Sequence, residues 1–142
     1  MRLGRFVRRP KGEGERGQAL VEFAMIVPIF LLLVFAIVDF GMGFHAWITV
    51  TNAAREGARV GAVGADSATI QSKVTDTTVS LDAASVTTFV TNAQGAPGES
   101  VTVKVDYDYL LITPLSSIMG LMSGNTLGPN IEFSSTSEMR LE

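Results

Sequence analysis

One long apolar run dominates the hydropathy pattern. From Ala19 to Val38 the only ionisable side chain is that of Glu22. Twenty helical residues at about 1.5 Å each measure about 30 Å, which is the thickness of the hydrocarbon core of a bilayer. The run therefore predicts one membrane-spanning helix. Asp39 is expected at its far interface, followed by aromatic residues suited to the headgroup region (Phe40, Phe44 and Trp47, with His45 among them).

After this run, the large apolar residues give way to small residues on one helix face. Small residues recur with the i, i+3, i+4 spacing of one helix face, at Ala53, Ala54, Gly57, Ala58, Gly61 and Ala62. The spacing predicts that the helix continues outside the membrane to about residue 65. Its small-residue face either packs against the chain's own domain or pairs with another helix. Arg55, Glu56 and Arg59 lie on other faces, and no catalytic pair is predicted from them.

The last 77 residues (66–142) predict a small α+β domain. A helix is expected from Asp66 or Ser67, with Ile70 and Val74 on one face. A strand is expected in the stretch SVTTFVTN, and the turn-rich stretch NAQGAPGES separates it from the next. In VTVKVDYDY, apolar Val101, Val103, Val105, Tyr107 and Tyr109 alternate with polar residues, which indicates a half-buried strand.

A second alternating stretch, NIEFSSTSEMRLE, is expected to pair antiparallel with this strand. Its inward residues would be Ile131, Phe133, Met139 and Leu141. Between the two strands, Thr113 as cap, Pro114 at the first helical position and Gly124 as terminator predict a short helix. Its apolar residues, Leu115, Ile118, Met119 and Met122, either pack on the sheet or offer a surface to a partner.

Charge is distributed unevenly along the chain. Residues 1–16 contain six basic and two acidic residues, whereas the other residues contain five basic and twelve acidic ones. A basic tail directly before an apolar run is the usual signal for a cytoplasmic N-terminus. We therefore favour that reading over nucleic-acid binding, and we expect the C-terminal domain on the extracytoplasmic side of a single-pass protein.

Candidate chemistry is sparse. The chain has no cysteine, so disulfides and thiol catalysis are excluded. It has one histidine, His45, which is too few for a typical zinc site. Asp106 and Asp108 lie on one strand face at a spacing of about 7 Å, which suits either weak calcium binding or a solvated surface. We expect no metal site, no cofactor and no enzymatic activity.

Two other readings of the apolar run stay open. A secretory signal peptide would be cut at Gly41-Met42-Gly43, although more apolar sequence follows that site. Alternatively, an uncut anchor would tether a binding module to the cell surface.

A more specific interpretation comes from the start of the run. A basic leader ends at Gly17 and is followed by Gln18-Ala19-Leu20-Val21-Glu22-Phe23. This stretch resembles the processing site of type IV prepilins, in which cleavage follows the glycine and a glutamate is fifth in the mature chain. Together with the segment VTNAAREGARVGA, it is similar to the TadE-like minor pilins, or pseudopilins, of tight-adherence systems.

The resemblance implies a structural component of a tight-adherence (Flp-type) pilus or a related secretion apparatus in the inner membrane. Residues 1–17 would be a leader removed by the prepilin peptidase, 18–65 the membrane helix with its outer extension, and 66–142 the extracytoplasmic domain. The implied partners are major and other minor pilins, the inner-membrane assembly platform and membrane lipid.

Glu22 has a physical use under this interpretation. Cleavage after Gly17 frees an α-amino group with a pKa of about 8, and Glu22 is able to pair with that amine in the same or an adjacent subunit. A buried ion pair is costly to break and so fixes the register of packed helices. The alternative is that Glu22 only reaches back to the membrane interface.

Overall fold

The computed structural model describes residues 13–122 and 130–142, and its architecture is α+β, as the sequence predicts. Helix α1 (Glu13–Ala62) is followed by helix α2 (Ser67–Thr77), a 3-10 turn (Ala83–Ser85) and strand β1 (Val86–Thr91). Strand β2 (Ser100–Leu110), helix α3 (Leu115–Met122) and strand β3 (Asn130–Arg140) complete the chain. The described residues after α1 form a small domain, here called the head.

Helix α1 is a single element of 50 residues, about 75 Å long, that continues through Pro28. Within the described part of the chain it is the one helix long and apolar enough to cross a membrane. Its first half stands clear of the head, and the large apolar side chains there are mostly exposed. Its second half lies against the head and forms part of the folded core. We call the first half the apolar rod.

The head contains a three-stranded antiparallel sheet in the order β1-β2-β3. Val103 of the central strand lies opposite Val90 of β1 and Ser137 of β3. The predicted alternation of β2 is confirmed, because its valines and tyrosines from Val101 to Tyr109 are buried on one face of the sheet. The other face is largely polar.

Helix α1 packs on the buried face of this sheet, with α2 beside it. Asp66 caps α2 by accepting a hydrogen bond from the Thr69 N–H at 2.9 Å, and the predicted inner residues Ile70 and Val74 are fully buried. The core joins these residues to the small residues of α1, among them Ala53, Ala54 and Ala58, and to Val50, Val101, Val103 and Val105. Of the two uses that the sequence left open for the small-residue face, the structure shows packing within the chain's own domain.

Two glycines determine how close α1 comes to the head. A Cβ placed on Gly57 would lie 2.9 Å from Val74 Cγ2 and 3.1 Å from Val103 Cγ1. A Cβ on Gly61 would lie 3.0 Å from a Val101 methyl. These separations are shorter than normal carbon contacts, so α1 reaches this depth only because the two positions have no side chain.

Strand β3 departs from the sequence prediction at one residue. Ile131 is 44 % exposed, so the prediction that it points into the core is wrong. It lies opposite the buried Tyr109, but near one end of an edge strand that has a neighbouring strand on only one side, whereas Leu141 at the other end is buried.

Helix α3 is present and contacts α1, and none of its described side chains belongs to the hydrophobic core. Leu115 and Ile118 are only half-buried. The predicted terminator Gly124 and the side chains of Met119 and Met122 lie outside the described residues, as do residues 1–12 of the basic leader.

Candidate functional site

The predicted processing segment lies in the first turns of α1. Gly17, Gln18 and Glu22 are all exposed on the helix surface. Gln18 Nε2 donates a hydrogen bond to Glu22 Oε1 at 3.1 Å, as expected for residues four apart on one helix face. A Cβ on Gly17 would meet no atom within 4 Å. The bond between Gly17 and Gln18 is therefore not shielded by the head.

Glu22 is surrounded by exposed apolar side chains, including Leu20, Val21, Phe23 and Met25. Among the side chains that the structure describes, no basic group lies within ion-pair distance of its carboxylate. The structure therefore brings Glu22 together with Gln18, but with no cation. An unpaired carboxylate inside the hydrocarbon is costly, so in a membrane Glu22 either reaches back to the interface or pairs with a group outside the described side chains.

The outer end of the span contains a site that the sequence analysis missed. Asp39 is only 3 % exposed, and its carboxylate accepts hydrogen bonds from the backbone N–H groups of Ile112 at 2.9 Å and Thr113 at 3.2 Å. The Thr113 hydroxyl also donates to it. In addition, the Tyr109 hydroxyl donates to the Asp39 carbonyl at 3.2 Å. Asp39 thus attaches the β2–α3 connection to α1 one residue beyond the predicted span. We call this contact of Asp39 with Tyr109, Ile112 and Thr113 the junction.

Sequence spacing contains a signal for this burial. Asp39 begins the series Asp39, Gly43, Ala46, Val50 and Ala53, whose i, i+4, i+3 spacing continues directly into the small-residue face. Asp39 is also the only acidic residue between Glu22 and Glu56. An acidic residue at the start of a buried helix face needs hydrogen-bond donors from another element.

Thr113 links this junction to helix α3. Its Oγ1 accepts a hydrogen bond from the Leu115 N–H at 3.3 Å, which confirms the capping role of Thr113, although α3 begins at Leu115 and not at the predicted Pro114. The same hydroxyl donates to Asp39. One side chain therefore starts α3 and ties that start to the outer end of the membrane span.

The face of α1 turned away from the head presents aromatic rings at the same level. Phe40 and Phe44 stack at a centroid distance of 6.4 Å, and Phe44 contacts Trp47 at 5.7 Å. All three are exposed. Their position just outside the apolar run suits the headgroup region of a bilayer.

Two of the three charged residues Arg55, Glu56 and Arg59 form a surface ion pair with each other. Arg59 Nε contacts Glu56 Oε2 at 2.8 Å, and this hydrogen bond holds the pKa of Glu56 below its usual value. Such exposed pairs contribute little to stability. Arg55 is exposed as well. We find no chemistry in this trio beyond solvation of the helix.

Asp106 and Asp108 do not form a paired cation site. Burial acts to raise the pKa of Asp106, but hydrogen bonds from Lys104 and Ser134, both at 2.6 Å, hold it below the usual value. Asp106 is thus already satisfied by the protein. Within residues 13–122 and 130–142, no three His, Asp or Glu side chains are grouped as metal ligands.

A shallow groove of about 270 Å³ lies beside the junction, between α1 and the 3-10 turn, and is lined by Met42, His45, Leu81 and Tyr107. One of its two acidic lining residues, Asp82, caps the 3-10 turn by accepting a hydrogen bond from the Ala84 N–H at 3.1 Å. This contact assigns Asp82 a role in folding.

These features define the class of protein. It has a single apolar helix, suited to serve as a single-pass membrane anchor, and the outer half of that helix is built into a small α+β head. Comparison with known families is more specific. The model of the family described as TadE-like protein matches residues 17–59, from Gly17 through the outer part of α1. The resemblance to TadE-like proteins is therefore confirmed over that segment. No curated protein and no solved structure matches the chain.

Proposed function

We propose that this chain is a TadE-like minor pilin, or pseudopilin, with a structural role in assembling a tight-adherence (Flp-type) pilus or a related secretion apparatus. The observation that supports it best is the extent of the family match. The match begins at Gly17, covers the apolar run and ends at Arg59, after the first residues of the face that packs on the head. The shared feature is thus the helix that a pilin uses for insertion and assembly.

Processing is the first step of the proposed function. The prepilin peptidase removes residues 1–17, and with them the basic residues that hold the N-terminus in the cytoplasm. The exposure of Gly17, with open space around it, supports access by the peptidase. The mature chain then begins with the α-amino group of Gln18 and is held in the inner membrane by residues 19–38, with the head outside.

Glu22 takes its role from this new terminus. Its carboxylate already lies within hydrogen-bond distance of the Gln18 side chain, one helical turn away. In a packed assembly of helices, it pairs with the α-amine of the same or an adjacent subunit and fixes their register. Major pilins, other minor pilins and the membrane platform are the proposed partners of the helix.

The first test is the N-terminus of the protein isolated from its native membrane. Intact mass and N-terminal sequencing should show a chain that begins at Gln18. Retention of residues 1–17 would contradict processing and favour an uncut, membrane-anchored binding module. Gly17→Leu should block cleavage and accumulate the precursor, and because the position has open space around it, the head should fold normally.

The second test concerns Glu22. The Glu22→Gln variant keeps side-chain size and hydrogen bonding but removes the charge, so insertion and cleavage should proceed while assembly fails. The readout is the amount of mature chain that copurifies with sheared pili or with the platform at matched expression. Glu56→Gln is the control, since it removes an acid from the same helix outside the span. Wild-type assembly of Glu22→Gln would refute the pairing role.

A further inference from the structure

The membrane-facing end of the head is unusually apolar. Its exposed large apolar side chains are Leu121 of α3 at 86 %, Ile112 at 63 %, Leu110 at 54 % and Ile131 at 44 %. We define these four residues as the lower surface. Leu110 and Ile131 lie at adjoining ends of β2 and β3, since Leu110 is opposite Asn130 in the sheet.

The level of this surface along α1 is determined by hydrogen bonds. Asp39, the first residue after the predicted span, binds the N–H groups of Ile112 and Thr113, and Thr113 caps α3. The lower surface therefore starts where α1 leaves the hydrocarbon. The polar residues of the head would stand farther out along the same helix.

The distribution of charge marks the same boundary. Between Asp108 and Glu132 the sequence contains no Asp, Glu, Lys, Arg or His. Asp108 and Glu132 lie opposite each other in the sheet and are both exposed, one register step above Tyr109 and Ile131. Charged groups avoid the hydrocarbon, whereas exposed leucine and isoleucine favour the boundary of headgroups and acyl chains.

We propose that the lower surface rests on the outer leaflet of the membrane, so that the head contacts lipid at a second place besides the span. The occupant is lipid because the surface continues directly from the apolar rod and bears no charge with which to select a protein. The inference depends on the proposed membrane topology. Its consequence is that the head is seated on the bilayer at a fixed level, and both contacts must be released when the chain leaves the membrane.

The test uses the absence of cysteine from the chain, which allows single-cysteine labelling without background. The full-length protein is reconstituted in vesicles of phosphatidylethanolamine and phosphatidylglycerol, with an environment-sensitive fluorophore at Leu121→Cys. Ile131→Cys serves as a second position on another element, in case the label disturbs α3. Ile29→Cys reports on the span, and Val63→Cys, an exposed position at the far end of the head, is the matched control.

Lipids brominated near the top of the acyl chains, and in a second series near the ends of the acyl chains, are then introduced as quenchers. Fluorescence should fall about twofold at Leu121→Cys and Ile131→Cys with the first series, as for side chains about 5–10 Å into the interface, and at Ile29→Cys with the second, because Ile29 lies at the middle of the span. It should stay unchanged at Val63→Cys in both series. Quenching at Ile29→Cys alone would overturn the inference while leaving the anchor intact. Disulfide-linked dimers formed by the unlabelled Leu121→Cys protein under an added oxidant, without quenching of the labelled protein, would overturn it in favour of a subunit contact. No quenching at Ile29→Cys would refute the membrane topology itself, and the inference with it.

Discussion

Asp39 holds the connection between β2 and α3 against the outer end of the apolar run. Its carboxylate accepts from two backbone N–H groups and one hydroxyl, and its carbonyl accepts from Tyr109. Hydrogen bonds to a charged group each contribute about 1.5–3 kcal/mol, more than neutral ones. At the scale of single residues, this junction is therefore the contact whose loss should be felt most.

Removing the hydroxyl of Thr113 tests the junction. Thr113→Val keeps the shape of the side chain but deprives Asp39 of one donor and the Leu115 N–H of its acceptor. We expect a loss of about 1–3 kcal/mol in the stability of the head, measured by near-ultraviolet circular dichroism during denaturant unfolding in micelles. Thr136→Val, on the exposed face of β3, is the control and should change little. Equal stability of the two variants would show that the junction does not stabilise the head.

Tyr109 makes the head sensitive to alkaline pH. Burial, together with the nearby charges of Asp39 and Tyr107, raises the pKa of its phenol above the ordinary value of 10.0. A raised pKa means that the folded state binds this proton more tightly than the unfolded state. Its contribution is therefore complete below about pH 10 and is lost as the pH rises further.

The Tyr109→Phe variant should lose about 1 kcal/mol at neutral pH with its hydrogen bond and show a weaker decline above pH 10. Tyr107→Phe leaves Tyr109 in place and should keep the decline. The measurement is the unfolding midpoint at a series of pH values. Parallel curves for the wild type and Tyr109→Phe would contradict the assignment.

At the scale of elements, the contact of α1 with the head depends on residues without bulk. The valines that face Gly57 are β-branched and stiff, so they cannot turn aside for a new methyl group. Helix propensity favours alanine over glycine by about 1 kcal/mol, which acts in the opposite direction. The steric cost and the propensity gain can therefore be separated by comparing two glycines of the same helix.

The Gly57→Ala variant should destabilise the head by about 1–2 kcal/mol, because the overlap with Val74 and Val103 outweighs the gain in propensity. Gly41→Ala lies on the same helix with no atom within 4 Å of the new Cβ, and it should be neutral or stabilising. Denaturant unfolding of both variants in the same micelles provides the comparison. A Gly57→Ala protein as stable as Gly41→Ala would show that the approach of α1 is looser than described.

At the scale of the whole molecule, one continuous helix joins the apolar rod to the head, so the orientation of one fixes the orientation of the other. The basic residues of the first 16 positions should keep the N-terminus in the cytoplasm. The head would then face outward.

Reporter fusions test this orientation. A reporter joined through a flexible linker after Glu142 should behave as extracytoplasmic, and the same reporter placed before Met1 should behave as cytoplasmic. The linker matters because the Glu142 N–H donates to the Ala62 carbonyl at the top of the head. A cytoplasmic reading at the C-terminal fusion would reverse the proposed topology.

Periodic features of the chain could be predicted from sequence because each depends on local geometry. The apolar run, the small-residue face of α1 and the alternation of β2 repeat with the period of the element that forms them. The caps at Asp66 and Thr113 were found for the same reason, since a cap satisfies N–H groups two or three residues away.

Other features were decided only when distant elements met. The sequence left the small-residue face of α1 with two possible partners, and the packing of Val74, Val101 and Val103 against Gly57 and Gly61 selected the head. Ile131 alternates like a core residue, yet its place near the end of an edge strand leaves it 44 % exposed. The burial of Asp39 likewise depends on donors 73 and 74 residues away, because a carboxylate can leave water only where such groups converge on it.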